Sequence, residues 1–382
     1  MLGVLIGLST SVSITMANAA AAQNFSEETV TEKNVGKSVS NTYLLEAAAG
    51  INTLQSWYVP DSGLYQTAAW WNSANVITVL ANFSKISGSK VYLPILQNTF
   101  TQAQKMHYGF LNHFYDDEGW WALAWIDAYD VTNDRQYLSI AQSIFEDMAG
   151  GWDTTACGGG IWWNKDRRYK NAIANELFLS VAARLANHVI DPAQKAHYLE
   201  WVKMEWQWFS QSGMINQYHL INDGLNSSDP SRCTNNGQAV WSYNQGVILD
   251  GLVEYSKADH PDPTLLATAK EIADAALLHL TDKSGVLHDQ GEVNGGAGGG
   301  GVQFKGIFVR NLVKLDEEVT QPSYNKFFTI NADSVWSKAQ GVNYKFGQVW
   351  SGPYSGASAG TQSSAIDGNR GRSPGNQAGV AA

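Results

Sequence analysis

Three consecutive acids, Asp116, Asp117 and Glu118, run directly into Gly119, Trp120 and Trp121 in the stretch YDDEGWWALAWIDAYDVT that begins at Tyr115. Like charges in a row repel, and two neighbouring indoles exclude water and raise the pKa of any carboxyl they cover. Two carboxyl groups, one ionised and one holding a proton, are what the hydrolysis of a glycosidic bond requires. The plain alternative is a helix start, whose free N–H groups and dipole favour acids in the first turn. One acid suffices for that, whereas three carry a repulsion that a cap does not need. Neighbouring aspartates at a helix start can hold their carboxyls about 5 Å apart, the retaining separation.

Other residues are candidates for holding a sugar. Trp120 and Trp121 lie on adjacent positions of one helix, so both cannot line a cleft equally and at least one belongs to the core. Trp162 and Trp163 follow a glycine-rich loop and offer flat platforms. Tyr243, Asn244 and Gln245 open a later apolar helix, where a phenol and two amides either bind hydroxyls or serve as caps. Lys305, just before another buried-looking helix, could orient a hydroxyl. Asp127 and Asp130 lie further along the acidic helix and are expected in buried hydrogen bonds, while the basic run NKDRRYK is expected to face solvent. The eight histidines show no H-E-x-x-H spacing, so no metal is expected. The run GGAGGGG from Gly295 to Gly301 lacks the Lys-Ser/Thr ending of a phosphate loop and reads as a lid or rim. No cofactor is expected.

The elements that must position these groups repeat along the chain. Six segments share small and apolar residues at helical spacing behind a polar or aromatic opening. They start at Tyr65, Asp116, Lys170, Trp241, Gln303 and Gly360, between 51 and 71 residues apart. Between them lie more polar helical stretches with a single apolar stripe. Pro192, Pro263 and Pro322 stand at the start of three of these, where a first turn tolerates proline. Helices apolar nearly all round are buried and single-stripe helices lie outside. The expectation is an all-α chain, an (α/α)6 barrel of six inner and six outer helices. An open solenoid is the alternative, but solenoid repeats are shorter and more regular. The long connections all precede inner helices and should gather at one end, where a cleft would form.

Bulk composition narrows the partners. The chain has 382 residues, 44% hydrophobic and 16% charged, with a net charge of −10. That balance argues against nucleic acid or an anionic membrane as partner. The 15 Trp and 16 Tyr supply core and, in part, the flat surfaces sugars stack on. Residues 1–19 are expected to be a signal peptide, with ANA at Ala17 to Ala19 offering small residues for cleavage. Residues 20–39 read as an N-terminal extension, 40–367 as the catalytic barrel and 368–382 as a disordered tail. No other segment approaches membrane-spanning length, and no lipid-anchor tail is seen. Secretion agrees with sequons at Asn24, Asn82 and Asn226, and with two cysteines, Cys157 and Cys233. The cysteines either form one disulfide between glycine- and asparagine-rich loops or are unrelated thiols.

In chain order, YDDEGWWALAWIDAYDVT, GGGIWWN, NAIANELF, WSYNQGVILDGL, FKGIFVRNL and GTQSSAID resemble glycoside hydrolase family 76, and the resemblance runs from about residue 40 to 367. It implies an (α/α)6 fold and a secreted retaining endo-α-1,6-mannanase acting on mannan backbones. It also implies Asp116 as nucleophile and Asp117 as general acid/base. The expected partner is therefore an α-1,6-mannan or manno-oligosaccharide, met by a monomer. A related fungal branch transfers mannosylated GPI-anchor glycans into cell walls with the same residues, a sugar acceptor replacing water; the missing anchor signal favours the hydrolase. A non-catalytic mannan-binding protein is the third reading, and the presence of both aspartates speaks against it. The family completes a helix after SSAID, whereas here a Gly/Pro-rich tail follows, so the sixth hairpin is expected to be cut short.

Overall fold

The computed structural model describes residues 35–259, 262–292 and 301–369. The expected signal peptide, Asn24, most of the glycine run at 295–301 and the tail beyond Asn369 lie outside the described residues.

Among the described residues six inner helices form the wall: α2 (Trp70–Ser87), α4 (Tyr115–Thr132), α6 (Ala172–His188), α8 (Ser242–Ala258), α10 (Phe304–Val319) and α12 (Ala359–Gly368). Each packs on the next in chain order, and α12 returns to α2, so the ring closes. The outer layer comprises α1 (Val35–Leu54), α3 (Leu93–Gln102), α5 (Arg135–Ala149), α7 (Pro192–Gln211), α9 (Pro263–His279) and α11 (Pro322–Lys338). This is the expected (α/α)6 barrel. Its two layers differ as the sequence pattern requires. Every residue from Ala172 to Ala186 of α6 is buried, whereas α5 buries only Tyr137, Ala141, Ile144, Phe145 and Met148, one stripe at helical spacing. Pro192, Pro263 and Pro322 do open outer helices.

Glycines let the inner helices touch. A Cβ on Gly246 of α8 would lie 2.6 Å from Phe308 Cα of α10, and one on Gly306 of α10 would lie 2.7 Å from Ser364 Cα of α12. Beyond the site, Arg184 of α6 ties three inner helices together. It donates to Asp127 of α4 at 2.7 Å and twice to Asp250 of α8 at 2.9 Å. Asp130 meets His188 at 2.7 Å and Lys85 at 2.9 Å, so both lower acids of α4 sit in polar networks.

Several expectations are corrected. Helix α2 begins at Trp70 rather than near Tyr65, because Leu64 and Tyr65 pair with Val59 and Tyr58 as a short hairpin. Between the first two inner segments the polar stretch is helical only from Leu93 to Gln102; it continues as 3-10 turns, and Gly109 has φ 66°, a left-handed conformation that breaks a helix. Helix α12 has only 10 residues, yet Gly368 and Asn369 are ordered and buried, two residues into the expected tail. Lys170, part of the run expected to face solvent, is fully buried. Its ammonium donates to the carbonyls of Asp153, Ala156 and Gly159, pinning the loop before α6.

The long loops before α6 and α8 do meet at the N-terminal ends of the inner helices. The Cys157–Cys233 disulfide joins the loop before α6 to the loop before α8, with Cα atoms 5.1 Å apart. Isolated bridges Phe114–Asn164 and Asn171–Gly224 stitch neighbouring loops at the same end.

Candidate active site

Helix α4 starts without a capping side chain, since its N-cap position is Phe114. Residues just before and across from it take over that task. Asn112 Nδ2 donates to Asp117 Oδ2 at 2.6 Å, while Asn112 Oδ1 accepts the Phe114 N–H at 2.8 Å. Trp163 Nε1 donates to Asp116 Oδ2 at 3.1 Å from the facing loop. That loop is itself fixed by backbone bonds, Tyr115 N to Trp163 O and Lys165 N to His113 O, each 3.0 Å. Each aspartate of the pair is therefore held by one N–H donor on a different segment.

Both residues are half-buried. Burial, and then the charge of Asp117, hold the Asp116 carboxyl well above the usual carboxylate range; the Trp163 N–H and the N–H groups of Asp116 and Asp117 oppose this. Burial raises Asp117 as well, against the Asn112 bond. Burial and the neighbouring charge together disfavour ionising both carboxyls at once. Glu118 is completely buried and accepts from Asn112 N at 3.0 Å and Lys165 Nζ at 2.8 Å.

Aromatic rings wall the site. Tyr243 stacks on Phe304 with centroids 3.8 Å apart, and Trp120 lies between Tyr243 at 6.4 Å and Trp71 at 5.6 Å. Trp241 leans on Phe304 at 5.6 Å. Burial, then Asp223 and Asp116, raise the Tyr243 phenol. A polar edge continues from there: the Tyr169 hydroxyl donates to Asp223 Oδ2 and accepts from Asn236 Nδ2 at 2.9 Å, and Trp241 Nε1 donates to Asp223 Oδ1 at 3.2 Å. Flat rings beside fixed carboxylates and amides suit a neutral sugar, which offers both C–H faces and hydroxyls.

The expected sugar-binding residues separate into two groups. Trp163 bonds Asp116, Tyr243 lies within reach of its charge, and Trp120 packs behind Tyr243; Asn244 is fully buried with neither amide atom bonded among the described residues. The others belong to the scaffold. Trp121 is fully buried against Trp70, Phe110 and Trp125, because it points outward from α4 where Trp120 points in. Trp162 donates to Asp153 at 3.1 Å and lies under the Lys170 ammonium. Gln245 makes a reciprocal pair with the backbone of Ile221, stapling the preceding loop. Lys305 is taken up by Glu292, the Gln348 carbonyl and the Trp350 ring.

Among the sequons, Asn226 is exposed, whereas Asn82 is only 5% exposed in the wall of α2 with its amide nitrogen shielded, leaving no room for a glycan. Sequence reading missed Asn112, Tyr169, Asp223, Asn236, Trp71 and Phe304. Tyr169 was hidden in a run read as solvated, and Asp223 in an Asp-Gly turn signal; Asn112 gave no signal at all.

Known proteins share this architecture. Mannan endo-1,6-alpha-mannosidase DCW1 of Saccharomyces cerevisiae is 28% identical over 233 residues, 57% of this chain and 46% of that protein. Mannan endo-1,6-alpha-mannosidase DFG5 of Candida albicans is 26% identical over 232 residues, 55% of this chain and 50% of that protein. The chain thus spans about half the length of these curated relatives. Among solved structures, an inactive variant of the α-1,6-mannanase GH76A of Salegentibacter sp. HEL1_6, carrying Asn for two consecutive aspartates and bound to α-1,6-mannotriose, has a TM-score of 0.78. It is 23% identical, and the match covers 86% of this chain and 98% of that one. Dfg5 from Chaetomium thermophilum, in complex with glucosamine, reaches a TM-score of 0.73 at 17% identity, covering 88% and 93%. The family model for glycosyl hydrolase family 76 matches residues 43–371, and the chain belongs to that family.

Proposed function

We propose that this protein is a retaining endo-α-1,6-mannanase that cleaves the backbone of α-1,6-linked mannan. The observation that carries the reading is the adjacent pair Asp116–Asp117 in the first turn of α4, each carboxyl gripped by an N–H from a separate segment. Consecutive residues of one turn suit the shorter carboxyl separation of retaining enzymes, on the order of 5 Å. The relatives named above as mannan endo-1,6-alpha-mannosidases support the substrate. The Salegentibacter mannanase, inactive once two consecutive aspartates are replaced, supports the pair.

On this reading Asp116 attacks the anomeric carbon while the bond to the departing sugar oxygen breaks and Asp117 gives that oxygen a proton. A water molecule, deprotonated by Asp117, then attacks the same carbon and frees the Asp116 carboxylate. Burial raises both carboxyls, and the charge of Asp117 further raises Asp116, so the pair favours keeping a proton available for Asp117 to donate. The Trp163 N–H and the helix N–H groups stabilise the Asp116 anion. Trp120, Trp163 and Tyr243 supply the aromatic wall for a neutral polymer. The Cys157–Cys233 bridge supports a place outside the reducing cytosol.

The test is hydrolysis of unbranched α-1,6-mannan by the purified chain, with product sizing, beside Asp116→Asn and Asp117→Asn. Short oligosaccharides from the parent and none from either variant is the expected result. Products only when an acceptor oligosaccharide is added would replace hydrolysis by sugar transfer at the same site. Full activity in both variants would reduce the pair to a helix cap.

A further inference from the structure

Glu118 has no part in the bond-breaking steps, yet it is the most deeply buried of the three acids, with no exposed surface. Burying a carboxyl is unfavourable unless it is paired, and its partners are particular. Its Oε1 accepts the backbone N–H of Asn112 at 3.0 Å and the Lys165 ammonium at 2.8 Å. Asn112 is the residue whose amide holds Asp117. Lys165 stands two positions after Trp163, in the segment whose indole holds Asp116. A single oxygen atom therefore fastens the two segments that fix the two carboxylates.

We propose that Glu118 is a positioning residue that sets both members of the pair at once, reaching Asp117 through Asn112 and Asp116 through the Lys165–Trp163 segment. The activity arm of its test rests on the mannanase reading; the geometric claim does not.

Helix capping alone does not explain the arrangement. A side chain at the N-cap would stabilise α4 without any tie to residue 165, and α4 has none there. The groups facing Glu118 are Lys165, Asp147 of α5, which Lys165 also reaches at 2.8 Å, the Tyr115 phenol under the Lys165 ammonium, and Asp117 next in sequence. Burial first, then Asp147, push the Glu118 carboxyl up to about 8 against the pull of Lys165. Burial thus favours the protonated form, while Oε1 keeps its two donors, the Asn112 N–H and the Lys165 ammonium. Glutamine keeps an acceptor oxygen for Asn112 N and Lys165 Nζ without the charge; alanine removes the acceptor.

The experiment compares Glu118→Gln and Glu118→Ala on a linear α-1,6-manno-oligosaccharide, with the carboxyl resonances of Asp116 and Asp117 titrated by NMR in each protein. The expected result is a kcat about 100-fold lower in Glu118→Ala with KM within about 3-fold, and Glu118→Gln within about 5-fold of the parent. The Asp117 titration should shift in the alanine variant and return in the glutamine variant. A purely structural role would lower the folded fraction and leave kcat per folded molecule, KM and both titrations as in the parent. That outcome, or glutamine no better than alanine, overturns the proposal. Should Glu118→Ala not fold, Lys165→Met and Asn112→Ala cut the two arms separately: Lys165→Met is expected to move the Asp116 titration and Asn112→Ala that of Asp117, and no movement in either overturns it. If the parent cleaves no mannan, the titrations decide this claim while the functional reading fails by itself.

Discussion

Trp163 Nε1 lies 3.1 Å from Asp116 Oδ2, a bond between residues 47 positions apart that joins the loop before α6 to the first turn of α4. It is a neutral donor aimed at a carboxyl that burial would otherwise keep protonated. Donation to the charged form favours that form.

Trp163→Phe keeps the ring and removes the donor. A hydrogen bond to a charged group contributes about 1.5–3 kcal/mol, so kcat should fall roughly 10- to 100-fold. The proton affinity of Asp116 should rise, moving the acid limb of the pH–activity profile to higher pH. A steady-state profile from pH 4 to 9 checks both; an unmoved acid limb would show that the indole N–H does not act on Asp116.

The division of roles between the two aspartates has its own signature. With an aryl mannoside whose phenol leaves without protonation, Asp117→Asn should still form the glycosyl-enzyme and be rescued by azide, giving the retained α-mannosyl azide. Asp116→Asn should form no such intermediate with any leaving group. Mass spectrometry of the stalled protein and NMR of the azide product read the result, and the opposite pattern would exchange the roles.

The sequence revealed the barrel because burial pattern is a local property: a helix such as α6, apolar on all sides, announces its place in the inner ring. It revealed the Asp pair because three acids in a first turn exceed what a cap needs. It could not reveal Asn112 or Asp223, whose roles depend on loops meeting in space. Asn112 reaches Asp117 only because Gly109 turns the chain before α4, and Asp223 meets Tyr169 only across 54 residues. Which indole of each pair, Trp120 or Trp121 and Trp162 or Trp163, faces the carboxylates was open for a related reason. Neighbouring indoles look the same in sequence, and one step along helix α4 for Trp120 and Trp121, or along the loop before α6 for Trp162 and Trp163, decides which faces the pair.

Arg184 holds the end of the barrel away from the pair, with Asp127 and Asp250 as its buried partners. Arg184→Leu leaves those carboxylates without their main cation, although Lys314 still reaches Asp250 at 2.7 Å. Loss of one partner from a buried ion pair costs about 3–5 kcal/mol. Denaturant unfolding should show a drop of that size, while kcat per folded molecule stays at the parent value. A variant as stable as the parent would mean that the network is solvated rather than buried.

Stability should fall as pH rises from about 5 to about 8. Burial pushes Glu118 to about 8 and Asp289 to about 6, and holds Glu176 and Glu205 well above the carboxylate range. A carboxyl whose folded pKa lies above its unfolded value binds a proton in the native state that the unfolded chain has released. Its contribution is complete below the unfolded pKa, near 4.3 for glutamate, and is lost as pH climbs toward the folded value. His188 and His288, raised by their carboxylate partners against desolvation, act in the same direction, since their contribution is lost as pH rises through the folded pKa. Asp130, lowered to about 2 by His188 and Lys85 in spite of burial, and Glu292, lowered by His288 and Lys305, do the opposite: their stabilisation is present above the unfolded pKa and is lost in acid. The two sets place the maximum on the acid side of neutrality, near pH 5. Thermal melts at constant ionic strength should give a higher Tm at pH 5 than at pH 8. Glu205→Gln, which removes one such carboxyl on the outer helix α7, should flatten the decline, and a Tm that rises across this window would show that these buried acids are ionised in the folded protein.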